Sequence, residues 1–198
     1  MADDTTVTVS SDPPTDLLGL HADHVRVRAS DATFRGMAIG LLELSLGDVQ
    51  VLERTAGTVD GRLSHVTLPI AGGRRITIGT ITIAGGGDSI TATTVIPNAQ
   101  AEALIADAVE ARTGTRPSKV VLAAPDSATV EASGLALAGT FAVSPAGDLL
   151  LQGVGPAAGT EVVLLRGGED LPIELTSVRV TSSGDLRLSG DLVIGILG

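Results

Sequence analysis

The chain has 198 residues, enough for one ordinary domain, which we expect to cover 1–198. Its 13 basic and 23 acidic side chains give a formal charge of −10, which repels a phosphate backbone and argues against nucleic acid as a partner. The chain has no cysteine, tryptophan or tyrosine, which excludes disulfides and thiolate metal sites and leaves aromatic ligand cages without their residues.

The N-terminal residues show no targeting signal. Residues 1–6 have neither the basic region nor the apolar region of a signal peptide. A trimmed mature protein would belong to the cell envelope, periplasmic or extracytoplasmic, whereas a native N-terminus would place the protein in the cytoplasm. The longest uncharged stretch, 132–147, is too short to span a bilayer. After two prolines, a short helical turn is expected over 15–20.

Most of the chain alternates apolar and polar residues with a period of two, which is typical of half-buried antiparallel strands. The clearest runs are 25–28, 42–46, 75–78, 173–175 and 178–180. Turn-forming residues separate the runs and predict hairpins. The predicted turns are Asp60-Gly61, 145–148 and 183–185.

The alternation changes phase near three glycine positions. The apolar residues fall at even numbers up to Leu46, and after Gly47 they fall at odd numbers from Val49. Similar changes occur around Gly79 and at 133–134. A one-residue phase change indicates a β-bulge or a bend, and repeated bulges predict strongly curled strands.

One segment, about 98–112, has the pattern of an amphipathic helix. Asn98 is the expected cap after Pro97, and Gly114 lies just past the end. The apolar face consists of Leu104, Ile105, Ala108 and Val109. The predicted fold is therefore α+β and β-rich, with a long, highly curved antiparallel sheet, containing bulges, wrapped around one main helix.

Residues able to perform catalysis or hold a metal form no specific motif. His21, Asp23 and His24 lie beside a predicted strand start, which is more typical of hairpin-end residues than of metal ligands. No serine stands in a G-x-S-x-G motif, and no Gly-rich segment has the spacing of a phosphate loop. We expect no enzyme, metal or cofactor; a catalytic site around the two histidines is a third possibility.

The apolar interior is the remaining functional feature. Leu, Ile, Val and Ala with few aromatic residues make an aliphatic lining that suits acyl chains, although the same residues also make ordinary cores. Composition alone does not distinguish a ligand cavity from an ordinary filled core.

Several segments of the chain follow one another in a familiar order. The first is DPPTDLLGLHADHVRVRA at 12–29, and 41–51 and the stretch from 90 to 109 come next. The strands 118–122, 127–132 and 141–143 follow, and the series closes with LPIELTSVRV at 171–180 and GDLRLSG at 184–190. In this order of elements the chain resembles the LmeA-like phospholipid-binding family of actinobacterial envelope proteins.

This resemblance implies a tubular lipid-binding fold, in which a curved sheet wraps around a helix and an apolar groove takes phospholipid acyl chains. Family members begin with an export signal or membrane anchor and a first helix, and neither is visible before Thr5. The resemblance supplies no catalytic residue.

We therefore expect non-enzymatic binding or shuttling of a phospholipid or another acyl lipid, with transient membrane contact. The predicted groove residues are Leu104, Ile105, Ala108, Val109, Phe34, Met37, Leu44, Leu46 and Phe141. Because the chain is acidic, burial of acyl chains rather than headgroup attraction should determine its affinity. The alternative is a structural or adhesive β-rich envelope module with a solid core and no ligand.

Overall fold

The computed structural model describes residues 4–34, 36–53, 55–70, 74–87, 89–168 and 173–192. In these ranges the chain is rich in β-structure, with two antiparallel sheets and one α-helix. The β-rich α+β class is confirmed. The wrapping of one long sheet around the helix stays a prediction.

The described part of the chain contains thirteen strands and the helix α1 (Asn98–Thr113). The strands are β1 (Asp4–Ser10), β2 (His21–Phe34), β3 (Met37–Gln50), β4 (Thr55–Ile70), β5 (Arg74–Gly86), β6 (Ser89–Ile96), β7 (Lys119–Ala123), β8 (Ser127–Ala132), β9 (Leu135–Val143), β10 (Leu149–Gly153), β11 (Glu161–Leu165), β12 (Ile173–Val180) and β13 (Leu186–Leu192). Short 3₁₀ turns cover Pro14–Gly19, as predicted, and Gly155–Ala157.

The strands form two sheets and the chain divides into two compact units. The eight-stranded sheet has the order β1-β2-β3-β4-β5-β6-β13-β12, and the five-stranded sheet has the order β11-β10-β9-β8-β7. The N-terminal unit comprises Met1–Leu68 and Ile78–Thr93, and the C-terminal unit comprises Pro69–Thr77 and Thr94–Gly198. A single domain over 1–198 stays a prediction.

In the N-terminal unit, β2, β3 and β4 each contain a left-handed residue, whereas the phase change around Gly79, from Ile78 to Ile81 in burial, occurs without one. β2, β3 and β4 pair without a register shift, yet Asp31, Asp48 and His65 have φ values of 48°, 53° and 54°. In β4, the buried side chains have odd numbers before His65 (Val59 and Leu63) and even numbers after it (Val66 and Leu68). The feature predicted near Gly47 is therefore a bend at Asp48, and the β-bulge interpretation is wrong for this position.

Glycines stand opposite two of these left-handed residues. A Cβ added to Gly40 would lie 3.0 Å from the Cβ of His65, and one added to Gly57 would lie 3.0 Å from the Cβ of Asp48. Both separations are tighter than ordinary van der Waals contact. A glycine at position 40 or 57 therefore leaves room for the side chain of the left-handed residue opposite it.

The predicted turn at Asp60-Gly61 is wrong, because both residues lie inside β4. Gly61 is buried, and a Cβ there would lie 3.0 Å from Cδ1 of Leu44 and 3.4 Å from the Cβ of Ile83. The glycine therefore makes room for neighbouring side chains in the sheet. A glycine can serve either a tight turn or close packing between side chains, and the sequence around Gly61 does not distinguish these two roles.

Three further segments, 133–134, 145–148 and 183–185, are turns between strands. The phase change at 133–134 is a two-residue turn between β8 and β9, with positive φ at both residues, so it is not a bulge within one strand. The turns predicted at 145–148 and 183–185 are confirmed between β9 and β10 and between β12 and β13. Real register shifts occur in the pairs β10–β11 and β12–β13.

In the C-terminal unit, α1 packs against the five-stranded sheet. It contacts β7 and β11, the two edge strands of that sheet. The predicted helix is confirmed to within a residue, and Gly114 ends it with a φ of 74°. The helix buries five apolar residues: Ala101, Leu104, Ile105, Ala106 and Val109.

The start of α1 is capped by a residue from a distant turn. The N-cap position is occupied by Pro97, which has no side-chain hydrogen bond to offer, so the prediction of Asn98 as the cap is wrong. The backbone N–H of Asn98 donates to Oδ1 of Asp185 at 2.9 Å, and Nδ2 of Asn98 donates to Oε1 of Glu102 at 3.0 Å. The carboxylate thus satisfies one of the free N–H groups of the first turn.

Replacing Asp185 by asparagine is expected to lower the melting temperature in a pH-dependent manner. The hydrogen bonds from Ser183 and from the backbone of Asn98 lower the pKa of the Asp185 carboxyl below its ordinary value. Its stabilisation is therefore present above the unfolded-state pKa of about 3.9 and is lost as pH falls through the lower folded-state pKa. Thermal unfolding of both proteins from pH 7 to pH 2 measures the difference.

The matched control is Asp191→Asn, which changes an exposed carboxylate on β13. It should show no comparable difference at neutral pH. A difference between Asp185→Asn and the original protein that stays constant down to pH 2 would contradict the capping role of the ionised carboxylate.

Candidate functional site

The nine predicted groove residues divide between the two units. The N-terminal unit holds Phe34, Met37, Leu44 and Leu46, and the C-terminal unit holds Leu104, Ile105, Ala108, Val109 and Phe141.

The residues of the C-terminal group are mostly buried. Leu104, Ile105, Val109 and Phe141 are all less than a tenth exposed, and Ala108 is half-buried. A cavity of about 230 Å³ borders this side of α1. It is lined by Arg75, Ile76, Thr77, Gln100, Ala103, Leu104 and Asp107. Small-molecule sites usually have about 300–1,000 Å³, so this cavity is smaller than an ordinary ligand site.

The N-terminal group is more accessible. Met37 is buried, whereas Leu44 and Leu46 are half-buried on β3. Phe34 ends β2 opposite Met37, and its side chain lies outside the part of the chain that the structure describes. Leu44 and Leu46 are therefore the predicted residues that a ligand can reach.

Leu44 and Leu46 belong to a continuous aliphatic surface, the apolar face of β1–β3. The strand register aligns Val7, Val27 and Leu44 in one row. A second row contains Val9, Val25 and Leu46, and a third contains Ala29 and Leu42. Since alternate residues point to one side of a strand, these eight side chains share one face.

Exposure of this face rises toward the sheet edge. On β4, Val59 and Leu63 are buried, whereas the valines and leucines of β2 and β3 on this face are half-buried. On β1, Val7 and Val9 are 56% and 49% exposed. With ordinary sheet spacings, the open surface extends roughly 10 Å across the strands and 13 Å along them.

Six residues of this face were not among the predicted groove residues: Val7, Val9, Val25, Val27, Ala29 and Leu42. Their signal was present in the V-T-V and V-R-V alternation of 7–9 and 25–27. The pairing of those two segments in register was not derivable from either segment alone.

The opposite face of the same strands bears a polar groove of about 770 Å³. The register forms one row from Arg28, Glu43 and Arg62, and a second row from Arg26, Ser45 and Asp60. The groove is also lined by Thr6, Thr8 and Thr82. Between the two polar rows, it is bordered by Val27, Leu44 and Gly61.

The charges of the polar groove nearly cancel. Three arginines face two carboxylates, which leaves one excess positive charge. The Nε of Arg28 lies 3.8 Å from Oε1 of Glu43, and both side chains are well exposed, so this ion pair adds little stability. Alternating charges across the strands fit a solvated sheet surface better than an anion site.

The histidine region shows only loose contacts between His21 and two carboxylates. Nε2 of His21 lies 3.5 Å from Oδ1 of Asp23 and 3.6 Å from Oδ1 of Asp48, too far for good hydrogen bonds. Nδ1 of His21 and Oγ of Ser11 are buried and have no hydrogen-bond partner among the described residues. A catalytic site around His21, Asp23 and His24 stays a prediction.

The longest helix in the described ranges does not meet the length and hydropathy that a membrane span requires. Searches of the chain against family models, curated proteins and solved structures find no match. The similarity to LmeA-like proteins therefore stays a prediction, and the structural feature that bears on function is the apolar face of β1–β3.

Proposed function

We propose that the protein binds a phospholipid or another acyl lipid, without altering it chemically, through the apolar face of β1–β3. One observation supports this proposal. In the N-terminal unit, valine and leucine side chains from three neighbouring strands form continuous rows, and these side chains are half-buried or exposed. Aliphatic rows of this kind can bury a hydrocarbon chain along their length, and the burial of apolar surface is the favourable term.

The chemistry of this face favours an acyl chain over a protein partner. Interfaces between proteins are enriched in aromatic residues, methionine and arginine, and their affinity depends on a few such side chains. The apolar face of β1–β3 has only Val, Leu and Ala. A flexible hydrocarbon chain needs no directional partner, so methyl groups alone are sufficient to hold it.

The acidic character of the chain restricts which membranes it can approach. A formal charge of −10 repels anionic bilayers, so the affinity should come from hydrocarbon burial. We therefore expect the protein to take lipid from zwitterionic phosphatidylcholine vesicles at least as well as from vesicles that contain phosphatidylglycerol.

The double variant Leu44→Asn, Leu46→Asn is expected to weaken acyl binding roughly tenfold or more, because two half-buried leucines lose their contact with the chain. The measurement is a fluorescence titration with phosphatidylcholine that has a labelled acyl chain. Native mass spectrometry of the purified protein, followed by organic extraction, tests in parallel for a bound lipid.

A matched control is Leu135→Asn, which changes a leucine that is 65% exposed on β9 of the C-terminal unit. It should bind the labelled lipid like the unmodified protein, and circular dichroism should show that both variants are folded. Equal binding by the double variant would reject this face as the site. No bound lipid and no titration signal with the unmodified protein would reject lipid binding.

A structural or adhesive module with a solid core is the second candidate function. The burial of Leu104, Ile105 and Phe141 favours it, since side chains of low exposure are what a solid core requires. Failure of the unmodified protein to bind lipid, with the fold intact, is the result this alternative expects.

A further inference from the structure

The two sheets have four edge strands, and three of them contact an element outside their own sheet. β7 and β11, the edges of the five-stranded sheet, both contact α1. β12, one edge of the eight-stranded sheet, contacts β9 and has a register shift between Leu175 and Ser177. Covering elements and bulges are the usual means by which proteins prevent edge-to-edge pairing.

β1, the fourth edge, has none of these protections. It pairs with β2 over all seven residues without a register shift, and every residue is exposed. Its only charged residue is Asp4, at the end, and the rest is an alternation of Thr and Val that ends in Ser10. In the described part of the chain, no backbone hydrogen bond reaches its outer side.

The sequence of β1 is complementary to itself in an antiparallel pair. With Val7 opposite Val7 of a second copy, Thr6 faces Thr8, Thr5 faces Val9, and Asp4 faces Ser10. This register uses the full strand and places no like charges opposite each other, and it joins the valine sides of both copies on one face.

We propose that β1 is a homodimerisation edge, at which two copies of this chain pair antiparallel about a two-fold axis at Val7. The pairing hydrogen-bonds the free outer backbone groups of both strands and covers Val7 and Val9, which are about half exposed in the single chain. Val7 and Val9 also belong to the apolar face of β1–β3, but the pairing depends on the backbone edge of β1 and not on lipid, so lipid-free protein tests it separately from the proposed function.

Association is measured first on lipid-free protein, by sedimentation velocity over a range of concentrations at about 0.15 M salt, which screens the repulsion between two acidic chains. Val7→Lys should raise the dimer dissociation constant roughly tenfold or more, because two lysines would meet at the axis. The control is Val163→Lys, an identical change at a 45% exposed valine on β11, the edge strand that contacts α1.

Two further measurements remain informative if Val7→Lys fails to fold. Amide hydrogen exchange of the unmodified protein should show protection along the outer side of β1 that increases with concentration. Since the chain has no cysteine, Val7→Cys should form a disulfide-linked dimer under mild oxidation, whereas Val163→Cys should remain monomeric.

Clear results would overturn the inference. A protein that stays monomeric at every concentration, or a Val7→Lys variant that dimerises like the original, excludes β1 as the interface. Faster cross-linking of Thr5→Cys or Val9→Cys than of Val7→Cys excludes the register centred on Val7.

Discussion

Replacing Ile105 by alanine is expected to reduce the free energy of unfolding by about 2–5 kcal/mol, the range for truncation of a large core side chain. Ile105 is fully buried in the middle of α1, and the helix packs against both edges of the five-stranded sheet. Because natural domains have only about 5–15 kcal/mol of stability, the loss should be obvious in urea denaturation.

The same variant separates a structural role of the helix from a ligand-binding role. If α1 is core, Ile105→Ala should bind labelled phosphatidylcholine like the unmodified protein at temperatures where it is folded. The exposed Leu135→Ala is the stability control and should change the unfolding free energy by less than about 0.5 kcal/mol. Loss of lipid binding by folded Ile105→Ala would show that α1 forms part of the lipid-binding site.

Substitution of Gly190 by alanine is expected to destabilise the protein by about 3 kcal/mol, near the upper end for overpacking of a core. Gly190 pairs with Leu175 beside the register shift in β12. An added Cβ would overlap the carbonyl oxygen of Glu174 and lie 2.7 Å from Cα of Leu175, so backbone would have to move. The melting temperature should fall by roughly 6–12 °C.

Gly79→Ala is the control for this change. Gly79 lies in β5, has no atom within 4 Å of an added Cβ, and has no left-handed φ. Alanine there should be neutral or slightly stabilising, since it reduces the freedom of the unfolded chain. A melting temperature for Gly190→Ala as high as that for Gly79→Ala would show that the β12–β13 pair can shift without cost.

Local chemistry allowed the sequence to predict the elements whose signals lie within one segment. The helix followed from its apolar spacing and from Gly114, and two hairpin turns followed from their turn residues. Gly61 was misread because the need for a small residue comes from Leu44 and Ile83, which belong to other strands. Likewise, the cap of α1 comes from Asp185, far along the chain.

The candidate site was predictable only in part, for the same reason. Leu44 and Leu46 were identified from alternation, but the valines of β1 and β2 join them through pairing registers that no single segment encodes. The helix residues were assigned to a groove because their apolar pattern is the same for a core and for a cavity lining. Burial decides between these two roles, and burial depends on what packs against the helix.

The left-handed residues Asp31, Asp48 and His65 have a consequence for mutational tolerance. In an ordinary strand, the positions that accept a charged side chain alternate with one fixed parity. Here, the pattern of accepted charges along β4 should reverse at His65, from even positions such as Arg62 to odd positions beyond it. A systematic substitution library would therefore detect these three residues as points where the tolerance pattern inverts, independently of any structural measurement.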